Sequence, residues 1–333
     1  MTRARTFTIA IAIAVSTAAC SETSPGWTVA GSPPAQSPTS ATEASTDRTP
    51  GASAERGAAV EADAQPHTTL VIAAKLRGKT SYDLYAVRDD GAEMRALTDT
   101  PDVDETLPSI SPDRQRIAFV RGGAMWVMDA SGEAAHTVGM PLATPASPAA
   151  WSPSGERLVY TSPDEAGVPR LRAASWTGLE DAPFMPNVKP GYALSEPAWG
   201  ASGQFACVAT PTLASVADRP GLFELSGRMP WKESLVATEV HGLDIAAKEG
   251  RWTFVWVGPE GGGASAYGEL LVSFGTAPSD AWVVRAGGAR APRWSPDGHE
   301  IAYVGREGVF VLSAFGSVER QVLRAADVAG MDW

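Results

Sequence analysis

Six hydrophobic positions, four of them tryptophan, recur at nearly even intervals along this chain: Ile110, Trp151, Trp199, Ile245, Trp294 and Trp333. The gaps between them are 41, 48, 46, 49 and 39 residues. A repeat of this length means that each unit is one supersecondary piece, which can bury its apolar faces only against its neighbours. The clearest copy is Pro292-Arg-Trp-Ser-Pro-Asp-Gly298, followed by the apolar runs Ile301-Ala-Tyr-Val304 and Gly308-Val-Phe-Val-Leu312. Its Ser-Pro-Asp-Gly stretch reads as a tight turn between strands. Pro presets φ, Asp bonds its own backbone, and Gly accepts positive φ where the next strand departs.

The other copies keep the same order. Ser111-Pro-Asp-Arg114 precedes Ile117-Ala-Phe-Val120 and Met125-Trp-Val-Met128, and Ser152-Pro-Ser-Gly155 precedes Leu158-Val-Tyr-Thr161. Gly200-Ala-Ser-Gly203 precedes Phe205-Ala-Cys-Val208 and Leu222-Phe-Glu-Leu225. The most eroded unit runs from Ile245 to Trp252-Thr-Phe-Val255 and Leu270-Leu-Val272, with Trp282-Val-Val284 as its outer strand. Arg114 stands where the other turns have glycine, which predicts a type I or slightly longer turn there. The units lack a 3.6-residue apolar periodicity, which argues against a helical solenoid.

Four short strands per unit of about 45 residues are the mark of a β-propeller blade. The sixth copy stops at Trp333, before its remaining strands. Thr69-Leu-Val-Ile-Ala73, Leu84-Tyr-Ala-Val87 and Arg95-Ala-Leu97 supply strands of the right order with no tryptophan strand ahead of them. The expectation is an all-β, six-bladed propeller of four-stranded blades, closed by residues 328–333 completing the first blade, with no open sheet edge.

Ahead of the repeats lie two different materials. Arg3 and Arg5, apolar Phe7 to Val15 and small Ser16 to Ala19 form the layout of a signal peptide covering residues 1–19. Thr17-Ala-Ala-Cys20 resembles a bacterial lipobox, which makes Cys20 the expected lipidation site and the membrane anchor. Residues 20–66 are rich in Ser, Thr, Pro, Ala and Gly, a composition that cannot offset its ordering entropy, so they read as a disordered tether. The propeller is expected over 67–333. Only one other cysteine exists, Cys207 in an apolar run, so no intrachain disulfide framework is available. The net charge of -11 argues against nucleic acid as a partner.

Trp294-Ser-Pro-Asp-Gly298 with Ile301-Ala-Tyr303, and Leu84-Tyr-Ala-Val-Arg-Asp-Asp-Gly91 leading to Leu97-Thr-Asp99, resemble the repeats of TolB-like propellers over roughly residues 68–333. The resemblance implies a six-bladed propeller outside the cytoplasm that serves protein–protein interaction. The separate N-terminal α/β domain of the family's namesake has no counterpart in this chain.

No catalytic signature accompanies the repeats. The nearest string to a nucleophile elbow, Gly263-Ala-Ser-Ala-Tyr267, lacks the last glycine. His67, His136, His241 and His299 lack metal-ligand spacing, and Gly261-Gly-Gly263 reads as a hairpin turn. The single asparagine, Asn187, argues against a calcium-dependent lactonase, and Asp99, Asp102, Asp104 and Glu105 read as a solvated acidic loop. No cofactor or metal is expected. Aligning the copies places Thr106, Ser147, Ser195, His241, Arg290 and Ala329 four residues before each anchor, where they ring one mouth of the central channel. With Glu105 these form the expected ligand- or partner-binding mouth, and His241 and Arg290 give it local positive character. Two long insertions offer further partner-binding residues: Trp176, Phe184 and Tyr192 in one, Arg219 and Trp231 in the other. The expected whole is a monomeric, non-enzymatic, lipid-anchored scaffold that binds other envelope or extracellular proteins. The alternative is a sensor or lactonase-like hydrolase binding a small ligand or metal at the channel mouth.

Overall fold

In the computed structural model, residues 67–139, 147–184, 191–201, 203–212, 221–226, 232–238, 241–248, 251–259, 267–274, 281–325 and 327–333 are described. Cys20 and the whole of residues 1–66 lie outside them. Every regular element among the described residues is a β-strand. The first sheet joins β1 (Thr69–Ala74), β2 (Asp83–Arg88) and β3 (Arg95–Ala96) to β23 (Val328–Asp332) from the far end of the chain, in the order β23-β1-β2-β3. The second contains β4 (Glu105–Ile110), β5 (Arg116–Arg121), β6 (Ala124–Asp129) and β7 (His136–Val138). The third contains β8 (Ala150–Trp151), β9 (Arg157–Pro163), β10 (Pro169–Ser175) and β11 (Asp181–Pro183). The fourth contains β12 (Tyr192–Trp199), β13 (Phe205–Pro211), β14 (Gly221–Ser226) and β15 (Lys232–Thr238).

The last sheet has seven strands: β16 (His241–Lys248), β17 (Arg251–Pro259), β18 (Gly268–Phe274), β19 (Trp282–Trp294), β20 (Glu300–Gly305), β21 (Gly308–Ser313) and β22 (Glu319–Arg324). Its 13-residue β19 serves two units. The first half pairs with β18, through Val272↔Trp282 to Gly268↔Ala289, and the second half pairs with β20, through Arg290↔Val304 to Trp294↔Ile301. Trp282-Val-Val284 is therefore an outer strand as the sequence predicts, but it runs on into the next inner strand without a loop. Gly287 and Gly288, at φ +81° and +73°, redirect the chain between the two halves.

The turn chemistry explains the Ser-Pro-Asp-Gly motif. The Ser295 N–H donates to the Glu300 carbonyl, and the Ser295 hydroxyl accepts from the Glu300 N–H while donating to Asp297. Ser111 makes the same three bonds with Arg116 and Asp113. Arg114 adopts φ +59°, the conformation glycine holds at Gly155 and Gly298, and its N–H donates to the Ser111 carbonyl as theirs donate to Ser152 and Ser295, so the three turns close alike and this one is not lengthened. The Arg114 guanidinium donates to the Thr69 carbonyl of the first sheet at 2.6 Å, which offsets the local strain.

Alternation along each strand sends its side chains into two different cores. Leu70, Ile72 and Ala74 of β1 pack with Val328, Met331 and Trp333 against Ala302, Val304, Val309, Val311 and Val322. Val71 and Ala73 face the other way, toward Ile117, Phe119 and Met128 of the second sheet. Four further clusters join the second unit to the third, the third to the fourth, the fourth to the β16–β18 unit, and that unit to the β20–β21 hairpin. Cys207 is buried within the cluster between the third and fourth sheets, as a small apolar residue would be.

Candidate functional site

Five of the inner strands carry the same irregularity near their start. The pairing register slips between Thr106 and Ser109, Ser195 and Ala198, His241 and Leu243, and Arg290 and Arg293. In β23 it slips between Val328 and Gly330. The residue at the slip has positive φ at Leu107 (54°), Glu196 (50°), Gly242 (70°) and Ala291 (49°). Such a bulge turns the first residues of the strand away from the ladder and re-aims their side chains and backbone groups. These are the sequence-aligned positions 106, 195, 241, 290 and 329. In the third unit β8 begins only after Pro148, and Ser147 instead bonds Thr161 at 3.2 Å and accepts the Glu196 N–H.

The bulges touch one another from strand to strand. The Glu196 carboxylate accepts the Gly242 N–H, Gly242 lies against Ala291 and Pro292, the Arg290 guanidinium donates to the Val328 carbonyl, and Gly330 lies against Leu107. Of the predicted mouth residues, Arg290 makes one of these contacts itself, and the others stand next to residues that make them; one position needs a correction. Glu105 is fully buried, paired with Arg121 at 2.6 Å and bonded by the Thr100 hydroxyl, so no partner reaches it. The acidic run from Asp99 to Glu105 reads as one solvated loop, and Asp99, Asp102 and Asp104 are exposed; the strand, however, begins one residue earlier than that reading, at Glu105.

The loop candidates are also packed rather than presented. Tyr192 is buried in β12, and Phe184 packs at a tilt against Trp199 and edge-on against Phe205, at ring-centroid distances of 5.9 and 5.0 Å. Trp176 lies under the Arg116 guanidinium at 4.5 Å and packs against the second core. Arg219 and Trp231 lie outside the described residues, as does Asn187.

Further along the inner strands, the residue before each anchor belongs to a girdle that sequence reading missed: Ser109, Ala150, Ala198, Asp244, Arg293 and Asp332 line one cavity of about 120 Å³. Acid residues inside a repeated apolar strand were the available signal. Asp332 accepts the Ile110 N–H at 2.6 Å and Asp244 accepts the Trp294 N–H at 2.7 Å, so each stitches its strand to the next anchor. Arg293 lies 3.3 Å from Asp332 and donates to the Pro292 and Leu243 carbonyls. Loss of solvent pushes the Asp244 carboxyl up to about 6, against the pull of Arg293. Asp332 is raised for the same reason.

The sign of the linkage follows. An unfolded Asp titrates near 3.9, so between about pH 4 and 6 the folded chain binds more protons than the unfolded one, and stability falls as pH rises through that window. Asp244→Asn keeps an acceptor for Trp294 and removes the charge. Thermal melts should show it stabilised at pH 8, on the order of 1–2 kcal/mol, and little changed at pH 4. An unaltered pH dependence would contradict this account of the girdle.

Among the described residues one histidine–carboxylate group has metal-like spacing: His67, Asp89 and Asp90. His67 is not isolated, since its Nδ1 lies 2.8 Å from Asp89. Arg88 bonds both oxygens of Asp90, so a guanidinium already fills the cation position there.

No protein-family model matches this chain, and no curated protein matches it by sequence. Solved structures do. TolB from Acinetobacter baumannii aligns with a TM-score of 0.62 at 15% identity, over 80% of this chain and 65% of that one. A protein assigned as TolB from Agrobacterium tumefaciens gives 0.59 at 15% identity, over 80% and 92%. A nidogen/laminin complex gives 0.58 at 12% identity, over 79% and 97%. The chain spans less than two thirds of the Acinetobacter protein. At these identities the likeness concerns the fold, and the fold is a TolB-like β-propeller.

Proposed function

We propose that this propeller has six blades closed into a ring and acts as a non-enzymatic protein-interaction scaffold, with the bulged mouth of its channel as the binding surface. Six units are counted when β19 is divided between its two sheets, and ring closure is supported by the pairing of β23 with β1 and by the core shared between β1 and β20–β22. The observation that carries the functional reading is the recurrence of one bulge at the start of five inner strands. A ring of re-aimed residues on a rigid scaffold is what a docking surface needs. Residues 1–19 act as an export signal, Cys20 carries the lipid, and residues 20–66 tether residues 67–333 to a membrane of the cell envelope. That a similar fold occurs in a nidogen/laminin complex is consistent with protein binding.

The carboxylates of the channel support a structural role over catalysis, because Asp244 and Asp332 are both engaged by backbone N–H groups of the next blade. A second reading, a small-ligand sensor, has the cavity of about 120 Å³ in its favour. It requires a ligand that protects the Asp244→Asn-sensitive girdle against heat.

Affinity purification from detergent extracts tests the leading reading. Wild-type chain should retain partners that a His241→Ala, Arg290→Ala double variant loses, and unchanged retention would remove the mouth from the account. Cys20→Ser should shift the protein from the membrane to the soluble fraction. Equal membrane partitioning would end the anchor proposal.

A further inference from the structure

Antiparallel pairing gives every sheet two ends. The inner strands start at the mouth and finish at the opposite end, where the turns from first to second strand and from third to fourth strand also lie. All five large apolar side chains exposed among the described residues stand at that opposite end. Met94 (46% exposed) lies in the β2–β3 turn, Leu179 (87%) in the β10–β11 turn, and Phe315 (72%) and Val318 (61%) in the β21–β22 turn, each a turn from third to fourth strand. Val283 is the second residue of β19, just past the corresponding point of the fifth unit. A single exposed apolar residue needs no explanation, but their gathering at one end of the blades does.

The tips are held firmly. Gly91, Gly178 and Gly316 of these three turns press against the fourth strand of the adjoining unit, where a Cβ would meet the Val322, Thr137 and Val284 carbonyl oxygens. The polypeptide also enters the domain at this end. His67 Nδ1 lies 2.8 Å from Asp89, and the Thr68 N–H and hydroxyl both donate to Asp89, which stands at the start of the turn that Met94 ends. Arg114, in a turn from first to second strand, donates to the Thr69 carbonyl, and the Trp333 indole donates to the Thr68 hydroxyl. Everything that precedes residue 67, Cys20 included, therefore joins the domain on the side of the apolar tips. Much of the charge at this end is paired: Arg88 with Asp90 and Glu93, Arg157 with Glu180, Arg285 with Glu319, and Arg320 with Glu300. Asp129, Glu133 and Glu156 remain exposed there, so an anionic surface would be repelled.

We propose that the end of the domain opposite the mouth rests on a zwitterionic phospholipid surface, with Met94, Leu179, Val283, Phe315 and Val318 dipping into the interface and the mouth turned away from the membrane. The proposal rests on Cys20 as the anchor that brings a membrane within reach. A lipid surface fits these residues better than a protein partner, because they stand on separate sheets with paired charges between them. A protein anchor needs one contiguous apolar patch, whereas a fluid interface meets scattered tips at once and gains from each apolar side chain it takes up. The tether then sets the local concentration of lipid, so shallow insertion of a few side chains suffices to orient the domain.

An environment-sensitive nitrobenzoxadiazole label on the full chain in phosphatidylcholine vesicles tests this. With Cys20 lipidated and Cys207 buried, an introduced cysteine is the thiol that reacts. Labels at Thr177→Cys and Ser317→Cys, beside the tips, should shift to the blue and be quenched by nitroxide-bearing phosphatidylcholine. A label at Glu165→Cys, exposed in the β9–β10 turn at the mouth end, should do neither. Leu179→Ser, Phe315→Ser and Val318→Ser combined should abolish both responses, with the melting temperature and the attachment through Cys20 unchanged. If the chain stays on the vesicles while the labels at 177 and 317 remain in water, the anchor reading stands and this proposal falls. It falls equally if the label at 165 responds in their place, if the response requires an anionic phospholipid, or if the tips instead pair two copies of the chain in a dimer that the three serines dissociate. If Cys20 carries no lipid, the anchor reading fails; the labels are then read on a Cys20→Ser chain at excess lipid, and the proposal stands only if those at 177 and 317 still respond.

Discussion

Deleting residues 328–333 is expected to cost the domain its cooperative unfolding transition. The segment contributes a whole strand, paired to β1 at Val71↔Asp332, Ile72↔Met331 and Ala73↔Gly330. It also places Val328, Met331 and Trp333 in the core shared with β20–β22, each almost entirely buried. Truncating a large buried side chain costs about 2–5 kcal/mol, and three of them together approach the roughly 5–15 kcal/mol that stabilises a whole domain. The exposed edge of β1, with Leu70, Val71 and Ile72, would then invite aggregation. Thermal melts and size-exclusion profiles check this against a control lacking six residues of the N-terminal segment, for instance 30–35, which should melt as the parent does.

Gly91→Ala and Gly132→Ala are expected to destabilise by similar amounts, about 2–4 kcal/mol. Both glycines lie in the turn between third and fourth strands, and both have positive φ, +84° and +99°. A Cβ at Gly132 would lie 2.5 Å from the Leu97 carbonyl oxygen of the preceding unit. A Cβ at Gly91 would lie 2.7 Å from the Val322 carbonyl oxygen, which belongs to the last unit in the sequence. Backbone oxygen cannot swing aside as a flexible side chain can, so the two units must part. Gly78→Ala is the control, since it shares the positive φ of +89° but has nothing within 4 Å, and it should cost only the backbone strain, about 1 kcal/mol. If Gly91→Ala behaves like Gly78→Ala while Gly132→Ala does not, the first and last units are not packed as adjoining blades are.

Much of this fold can be read from residues, because a strand buried on both faces leaves a continuous apolar run in the sequence. Ile117 to Val120, Phe205 to Val208 and Ile301 to Val304 all fall inside strands flanked by turn residues. The C-terminal strand was legible because the last repeat lacks strands that the first repeat supplies. The run of β19 through two units was not. Apart from Gly287 and Gly288 nothing marks the change of sheet, and two glycines can equally form a loop.

The site was legible as a set of aligned positions but not as chemistry. Alignment finds Thr106, Ser195, His241 and Arg290, because repetition fixes their place relative to an anchor. It does not reveal the bulge, since Leu107, Glu196 and Ala291 carry no glycine-like signature for the positive φ they adopt. Nor does local sequence show that Glu105 meets Arg121, or that Asp332 and Arg293 meet at one cavity, because those pairs depend on strand register and on the packing of sheets far apart in the chain. The aromatic residues of the first insertion misled for a related reason. A tryptophan in a long loop looks like a partner anchor, whereas Trp176 lies beneath the Arg116 guanidinium and packs against the core between the second and third units.

Amide hydrogen exchange of the segments 69–74 and 328–333 tests the closed ring most directly. Closure predicts that the Ile72, Ala73 and Met331 amides exchange as slowly as those of Ala118 and Phe119 in β5, because opening them requires opening the ring. Rapid exchange of 328–333, at the rate of a free chain end while β5 stays protected, would contradict it.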